Sequence, residues 1–246
     1  MIAQVSAFDQ LAPVYGELWS DTSIGRLQRD AFLRHVTPLF QEGQCVLDLG
    51  CGTGDDAVAF SDAGIRVTGI DSSAGMVRIA RNRGIDARQM AIERVAQIGE
   101  RFDGVISNFG AMNCVERLTD LREPLAKMIR PGGYMALCFL NRVCLWEISW
   151  HIARGHFRKS FRRWKGETRA LGIRVFYPSA RDVETSFRPE FKLVRRVGIG
   201  VCVPPSYVKG LSDEQLQRLA KWDCTIAAAP GWRALGDHQL LLFRKK

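Results

Sequence analysis

Val46-Leu47-Asp48-Leu49-Gly50-Cys51-Gly52-Thr53-Gly54 is the stretch on which the reading of this chain turns. An apolar strand runs into glycines spaced two apart, and a helix is expected to begin near Asp55. Alternating glycines directly after a strand let the backbone turn tightly and come close to a ligand that side chains would exclude. Seventeen residues beyond Gly54, a second apolar run, Val67-Thr68-Gly69-Ile70, ends in Asp71. That offset puts an acid at the tip of the neighbouring strand, where it reaches ribose hydroxyls. Together the two strand tips read as a site for a nucleoside-containing cofactor.

The flanking sequence supplies the matching architecture. Apolar runs at 45–49, 66–70, 85–90, 105–109 and 134–140 alternate with helical patterns at 55–63, 73–83 and 118–130. Ser72 or Ser73 is the cap expected for the second of these. Such alternation predicts an α/β fold, a doubly wound and mostly parallel sheet with right-handed crossovers. Strands at 191–203 and 238–244 close the chain as a hairpin, so the last strand is antiparallel. The whole of 1–246 reads as one domain. It carries an N-terminal helical lid at about 3–40 and helical cap insertions at about 142–178 and 204–236. Ligands of such sheets lie outside the carboxyl ends of the strands at the switch point. The glycine loop, Asp71, Ala91-Ile92 and Asn108 to Asn113 are all expected there.

Nearly half of the 246 residues are apolar and a quarter are charged, as in an ordinary globular protein. No run approaches the ~18 uncharged apolar residues that cross a bilayer. The first residues, which include Asp9 and Glu17, lack the pattern of a secretion signal. The seven cysteines are scattered and form no C-x-x-C pair. This argues for reduced thiols in a cytoplasmic setting, and against a disulfide framework or a metal site.

Two cofactor classes use a glycine-rich first turn. A dinucleotide needs room for pyrophosphate, and its fingerprint puts the third glycine five residues after the first. Here Gly50 and Gly54 are four apart, and Asp48 precedes the loop. A carboxylate there repels pyrophosphate and favours a ligand that carries an ammonium group. S-adenosyl-L-methionine has that ammonium, no phosphate, and a ribose for Asp71.

With these residues in view, the chain resembles the class I S-adenosylmethionine-dependent methyltransferases, particularly small-molecule enzymes similar to those that methylate quinone precursors. The resemblance covers roughly residues 5–140 and implies a Rossmann-like sheet. Residues 46–54 look like the family's first motif, which places Gly50, Cys51, Gly52 and Gly54 around the cofactor. Residues 67–76 look like the second, with Asp71 on the ribose, Ser72 beside it and Met76 against the adenine. The resemblance further implies backbone contacts near Asn108 and Phe109 at the methionine end, with Asn113 in the same motif. Residues 8–15 resemble an N-terminal helix that folds over the cofactor, so contact by Tyr15 is expected. One departure stands out. Many relatives carry Gly-Asp before the adenine loop, whereas this chain has Met90-Ala91-Ile92-Glu93. The acid for the adenine amino group is therefore missing or displaced to Glu93, and the amide of Ile92 is left to serve.

Methyl transfer from a sulfonium is an in-line displacement that alignment and exclusion of water accelerate, and no nucleophilic side chain is required. His151, His156, Tyr15 and His238 are the candidate general bases, and no motif selects among them, so no catalytic residue is assigned. The substrate side is the less legible one. Trp146, Trp150, Ala153, Phe157, Phe161 and Trp164 recur at helical steps, with basic residues between them. From Arg154 to Arg181 nine Lys or Arg stand against Glu167, which is +8 of the whole chain's +9.

Three readings of this insert compete. The favoured one is a cap whose aromatic face lines or covers the pocket while its basic face is solvated. The second is recognition of an anionic small molecule by Arg154 or Arg158. The third is peripheral membrane contact through 146–165. The expected partner is a small-molecule methyl acceptor, with acceptor atom unassigned. Nucleic acid is not expected, because no RNA-binding module is visible. The alternatives are an RNA methyltransferase and a protein that binds the cofactor without catalysis.

Overall fold

A computed structural model describes residues 2–170 and 172–246, with side chains from residue 7 onward. Helix α1 (Ile2–Leu11) leads through two short turns into α2 (Ser23–Val36). Thr22 caps α2 by accepting from the amide of Gly25 at 3.0 Å. The helix ends at Val36, and the turn that follows carries Pro38. Then β1 (Cys45–Leu49), α3 (Asp55–Asp62), β2 (Arg66–Asp71), α4 (Ala74–Asn82) and β3 (Asp86–Gln89) follow in strict alternation. Ser73 rather than Ser72 caps α4, accepting from the amide of Met76 at 3.1 Å. The next elements are β4 (Phe102–Ser107), α5 (Arg122–Met128) and β5 (Ile129–Leu140).

The sheet has seven strands in the order β3-β2-β1-β4-β5-β9-β8, where β8 is Phe191–Ile199 and β9 is His238–Lys245. Strands β1 to β5 pair in parallel, and β9 runs antiparallel between β5 and β8. The apolar character of the central strands follows from burial on both faces. Leu47, Val105, Leu137 and Leu241 enter one core, with Phe139, Phe187 and Phe243. Their neighbours Val46, Ile106, Ala136 and Leu240 enter the other, with Phe32 and Phe60. Strand order reverses between β1 and β4, so the glycine loop and the residues after β4 leave the sheet side by side.

The sequence reading needs correction at the edges of these elements. Strand β5 begins at Ile129, because Pro131-Gly132-Gly133 forms a bulge inside the pairing with β4 rather than a turn before it. Strand β4 ends at Ser107, so Asn108 and Phe109 lie beyond it; Phe109 has φ +46°. Strand β8 stops at Ile199. The larger difference is in the insert. Helix α6 (Leu145–Ile152) stops before Gly155, which takes φ +72°, and α7 is a single turn at Phe157–Ser160. A separate hairpin of β6 (Glu167–Ala170) and β7 (Ile173–Phe176) then occupies what was expected to be helical. Helices α8 (Ala180–Phe187) and α9 (Asp213–Ile226) both start on capping boxes, at Ser179 and Ser212.

Candidate active site

A cavity of about 630 Å³ opens at the carboxyl ends of β1, β2 and β4. Tyr15, Gly50, Gly52, Asp71, Ser72, Met76, Ala91, Ile92, Asn108 and Phe109 all line it. The amides of Gly50 and Cys51 donate to the carbonyl of Ile70 at 2.8 and 3.0 Å, which ties the glycine turn to β2. Three glycines serve three different needs. At Gly50 (φ +76°) a Cβ would come within 2.3 Å of the Ala111 Cβ. At Gly54 (φ +82°) it would press on Ala80 at 3.1 Å, so this glycine lets α4 approach. At Gly52 (φ +53°) a Cβ would meet no atom within 4 Å, and this glycine faces the cavity.

Asp71 braces that loop. Its Oδ2 accepts from the amide of Gly52 at 3.0 Å and its Oδ1 from the amide of Ser73 at 2.9 Å. Burial raises its carboxyl and these amides lower it, with burial the larger effect. Each oxygen keeps a further lone pair for a hydroxyl in the cavity. Beneath the loop, Asp48 is 2 % exposed and its Oδ2 has no hydrogen-bond partner. Burial, then the neighbouring Asp56 and Asp71, push its carboxyl well above the ordinary range.

Of the other expected residues, Asp48, Cys51, Gly54 and Asn113 do not line the cavity. Cys51 packs towards β2, where a Cβ on Gly69 would meet its Sγ at 2.7 Å, and burial raises its thiol. The side chain of Asn113 is fully committed elsewhere. It accepts from the amide of Leu140 at 2.8 Å and donates to the carbonyls of Phe176 and Leu140 at 2.6 and 3.3 Å. It therefore fastens β5 to β7. The aromatic series from Trp146 to Trp164 is also absent from the lining, to which the insert contributes Val175 of β7.

Several contributors were not visible in the sequence. Asp9 accepts from the Ser73 hydroxyl at 2.5 Å and the Gly75 amide at 2.9 Å, so α1 lies across the start of α4 with Phe8 in the cavity lining. Arg29 of α2 donates from Nε to Asp56 at 3.1 Å and pairs with Asp55 at 3.4 Å. Its guanidinium also lies over the ring of Phe109, 5.4 Å from the centroid. Asn108 donates to Asp56 at 3.2 Å and accepts from the amide of Phe109 at 2.9 Å, which holds Phe109 in its left-handed conformation. Apart from the adjacent Asn108–Phe109 contact, these partners lie tens of residues apart, and no local spacing announces them.

The candidate bases separate clearly. Tyr15 lines the cavity, and burial pushes its phenol up to about 12, so it is a neutral donor near pH 7. His238 lies behind the cavity wall with its ring edge-on to Phe109 at 5.3 Å, and burial lowers its pKa. His151 stacks on Tyr207, and neither it nor His156 lines the cavity. The cationic side chain of the lining is Arg94, on the segment after β3. Beside the glycine turn the cavity wall carries the Asp71 carboxylate, while Arg29 and Arg83 stand outside the lining, paired with Asp55 and Asp56, an arrangement suited to an ammonium group rather than pyrophosphate. The residues present therefore fit S-adenosylmethionine better than a dinucleotide.

Comparison with known proteins agrees with this geometry. Residues 46–133 match the family model described as a methyltransferase domain. The chain is 34% identical over 143 residues to a demethylmenaquinone methyltransferase of Clavibacter sepedonicus, covering 55% of this chain and 57% of that protein. It is 32% identical over 107 residues to a ubiquinone biosynthesis O-methyltransferase of Alkalilimnicola ehrlichii, covering 41% and 43%. The matches thus span about half the length of these relatives. In fold, the chain superposes on an S-adenosylmethionine-dependent methyltransferase of Mesorhizobium loti with a TM-score of 0.61 at 18% identity, over 91% of this chain and 98% of the other. Its glycine turn, Asp71 and sheet order make the chain similar to the class I S-adenosylmethionine-dependent methyltransferases, with residues 46–133 carrying the matched methyltransferase domain.

Proposed function

We propose that this protein binds S-adenosylmethionine in the 630 Å³ cavity and transfers its methyl group to a small, largely apolar acceptor. The observation that carries the reading is Asp71, held by the Gly52 and Ser73 amides at the cavity wall beside a turn whose arginines, Arg29 and Arg83, are paired with Asp55 and Asp56 outside the lining. When bound, the cofactor supplies a methyl group on a positively charged sulfur. The chain's own residues would hold it: Asp71 at the ribose, Met76 and Ile92 at the adenine, and the Gly52 backbone near the amino-acid end. Asp48 beneath the loop, whose carboxyl burial raises, would complement the ammonium group by giving up its proton beside the cation. Phe8 and Tyr15 would cover the cavity and exclude water.

Beyond the glycine turn the lining continues as Phe109, Gly110, Ala111, Val115, Leu140 and Val175. This stretch supports an apolar acceptor. Arg154 and Arg158, the sequence-based candidates for an anionic one, are exposed and outside the lining. The similarity to quinone-pathway methyltransferases points to the same chemical class. With Tyr15 neutral and the histidines elsewhere, the acceptor's proton would leave to solvent, and the protein's contribution is alignment.

Calorimetry with S-adenosylmethionine and its demethylated product tests the first half. Binding is expected with both, and Asp71→Ala should weaken it at least ~10-fold, the loss of a charge-assisted hydrogen bond. Absence of binding, or an unaffected Asp71→Ala, rejects the site. Labelled cofactor incubated separately with aqueous and organic-solvent extracts tests the second half, with new methylated species expected from the organic extract. Label in RNA, or in nothing, would favour the RNA-methylating or the non-catalytic alternative.

A further inference from the structure

Segment 145–165 is pinned to the body of the protein by two buried charged residues, Glu147 and Arg163. Glu147 is 1 % exposed and accepts from Arg162 at 2.7 Å and from Arg163 at 2.7 Å, and Arg163 reaches on to Asp237 at 2.8 Å. Five of its large apolar side chains face outward, while Trp146, Ile148 and Trp150 are half-buried: Phe157 is 62 % exposed and Trp164 51 %, with Leu145, Ile152 and Phe161 also exposed. Phe161 and Trp164 stand ring to ring at 4.9 Å, which preserves a compact aromatic pair at the surface. Around them Arg154, Arg158, Lys159 and Lys165 are exposed and form no ion pair among the described residues.

We infer that this face docks peripherally on the surface of a bilayer rich in anionic phospholipids. Buried Glu147, Arg163 and Asp237, joined by half-buried Arg162, fix the segment to the body of the protein, so the outward aromatics are held out rather than left over from a loose loop. Aromatic rings and aliphatic side chains enter the headgroup–acyl boundary, while the lysines and arginines meet lipid phosphates. Leu145 and Ile152 decide between this partner and RNA, since a nucleic-acid surface has stacking uses for aromatics and none for exposed aliphatic side chains. Among the described residues no helix is long and apolar enough to cross a membrane, so the contact is at the surface. The inference does not depend on which acceptor the cavity takes.

Co-sedimentation of the full chain with vesicles of phosphatidylcholine alone, and with about one-third phosphatidylglycerol, tests it. Binding should be at least ~10-fold stronger on the anionic vesicles and weaken with added salt. The double variant F157S/W164S should lose ~10-fold or more, and R158E/K159E should lose the preference for anionic lipid. All four side chains are exposed, so circular dichroism and melting temperature should match the native protein. Quenching of the native protein's tryptophan fluorescence by brominated lipid gives a second readout that needs no variant, and a decrease is expected. The inference fails if neither vesicle binds, if F157S/W164S binds as the native chain does, or if the protein binds an RNA oligonucleotide and leaves both vesicles in solution.

Discussion

Burial, reinforced by Asp56 and Asp71, raises the Asp48 carboxyl well above the 3.8 of a solvated aspartate. The folded chain therefore holds a proton here at pH values where the unfolded chain has released it, and this contribution to stability falls as pH rises above 3.8. Asp48→Asn removes the penalty. It should raise the melting temperature near pH 7, flatten the pH dependence, and weaken S-adenosylmethionine by several-fold, as differential scanning fluorimetry and calorimetry would show. The glycine turn makes a second residue-level contrast. Gly50→Ala meets Ala111 at 2.3 Å with a left-handed backbone and should destabilise by about 2–4 kcal/mol. Gly52→Ala meets nothing in the protein and should lose only about 1–2 kcal/mol, yet it places a methyl group in the cavity and should reduce cofactor affinity more than Gly50 chemistry alone would suggest. The residue types at these positions were legible in sequence because spacing and backbone geometry are local. Which glycine serves packing and which faces a ligand was not, since that depends on Ala111 and Ala80.

At the scale of elements, buried Arg163 holds the insert. It joins Glu147 of α6, Asp237 before β9 and the carbonyls of Asn141 and Asp237. Arg163→Met leaves buried Asp237 without its arginine and Glu147 with Arg162 alone, and should cost about 3–5 kcal/mol, with hydrogen exchange rising first in α6 and the β6–β7 hairpin. Periodicity alone had read Arg163 as one of several solvated cations. Aromatics at steps of three and four are equally compatible with one helix and with a helix, a turn and a hairpin; Gly155 at φ +72° and the pairing of Glu167 with Phe176 decide for the second. A second element-level device joins α2 to the end of β4, where Arg29 and Asn108 share Asp56 and Arg29 covers Phe109. Arg29→Met should lower kcat more than it lowers cofactor affinity, because it frees Phe109 at the acceptor side while Asp71 and Gly52 stay in place.

Across the whole molecule the buried acids set opposing pH responses. Burial, their largest influence, raises Asp48, Asp56, Asp71 and Asp223, so their share of stability diminishes as pH rises above 3.8. Glu147 and Asp237 also feel burial most strongly as single influences, but their cations and hydrogen bonds together outweigh it and lower them. The stability they confer is present above the unfolded values of 4.5 and 3.8 and is lost as pH falls through their folded ones. Burial also lowers His35 to about 4 and lowers His151 and His238, so the unfolded chain takes up protons below 6.5 that the folded chain refuses and stability is lost there as pH falls. With the raised acids losing stability as pH rises and the histidines losing it as pH falls below 6.5, urea midpoints at about pH 4.5, about pH 6.5 and about pH 8 should be lowest at the most acid value. By itself the sequence determined the parallel sheet, the glycine turn and the acid at the tip of β2, because strand periodicity, left-handed glycines and strand-to-strand offsets are properties of short stretches. The tertiary structure alone decided that Asn113 is a fastener, that Asp9 and Arg29 belong to the candidate site, that β9 lies between β5 and β8, and that the insert buries Glu147 and Arg163 while it exposes Phe157, Phe161 and Trp164. Each of these rests on partners far apart in the chain, whose meeting is fixed by the packing of the two cores and not by any local pattern.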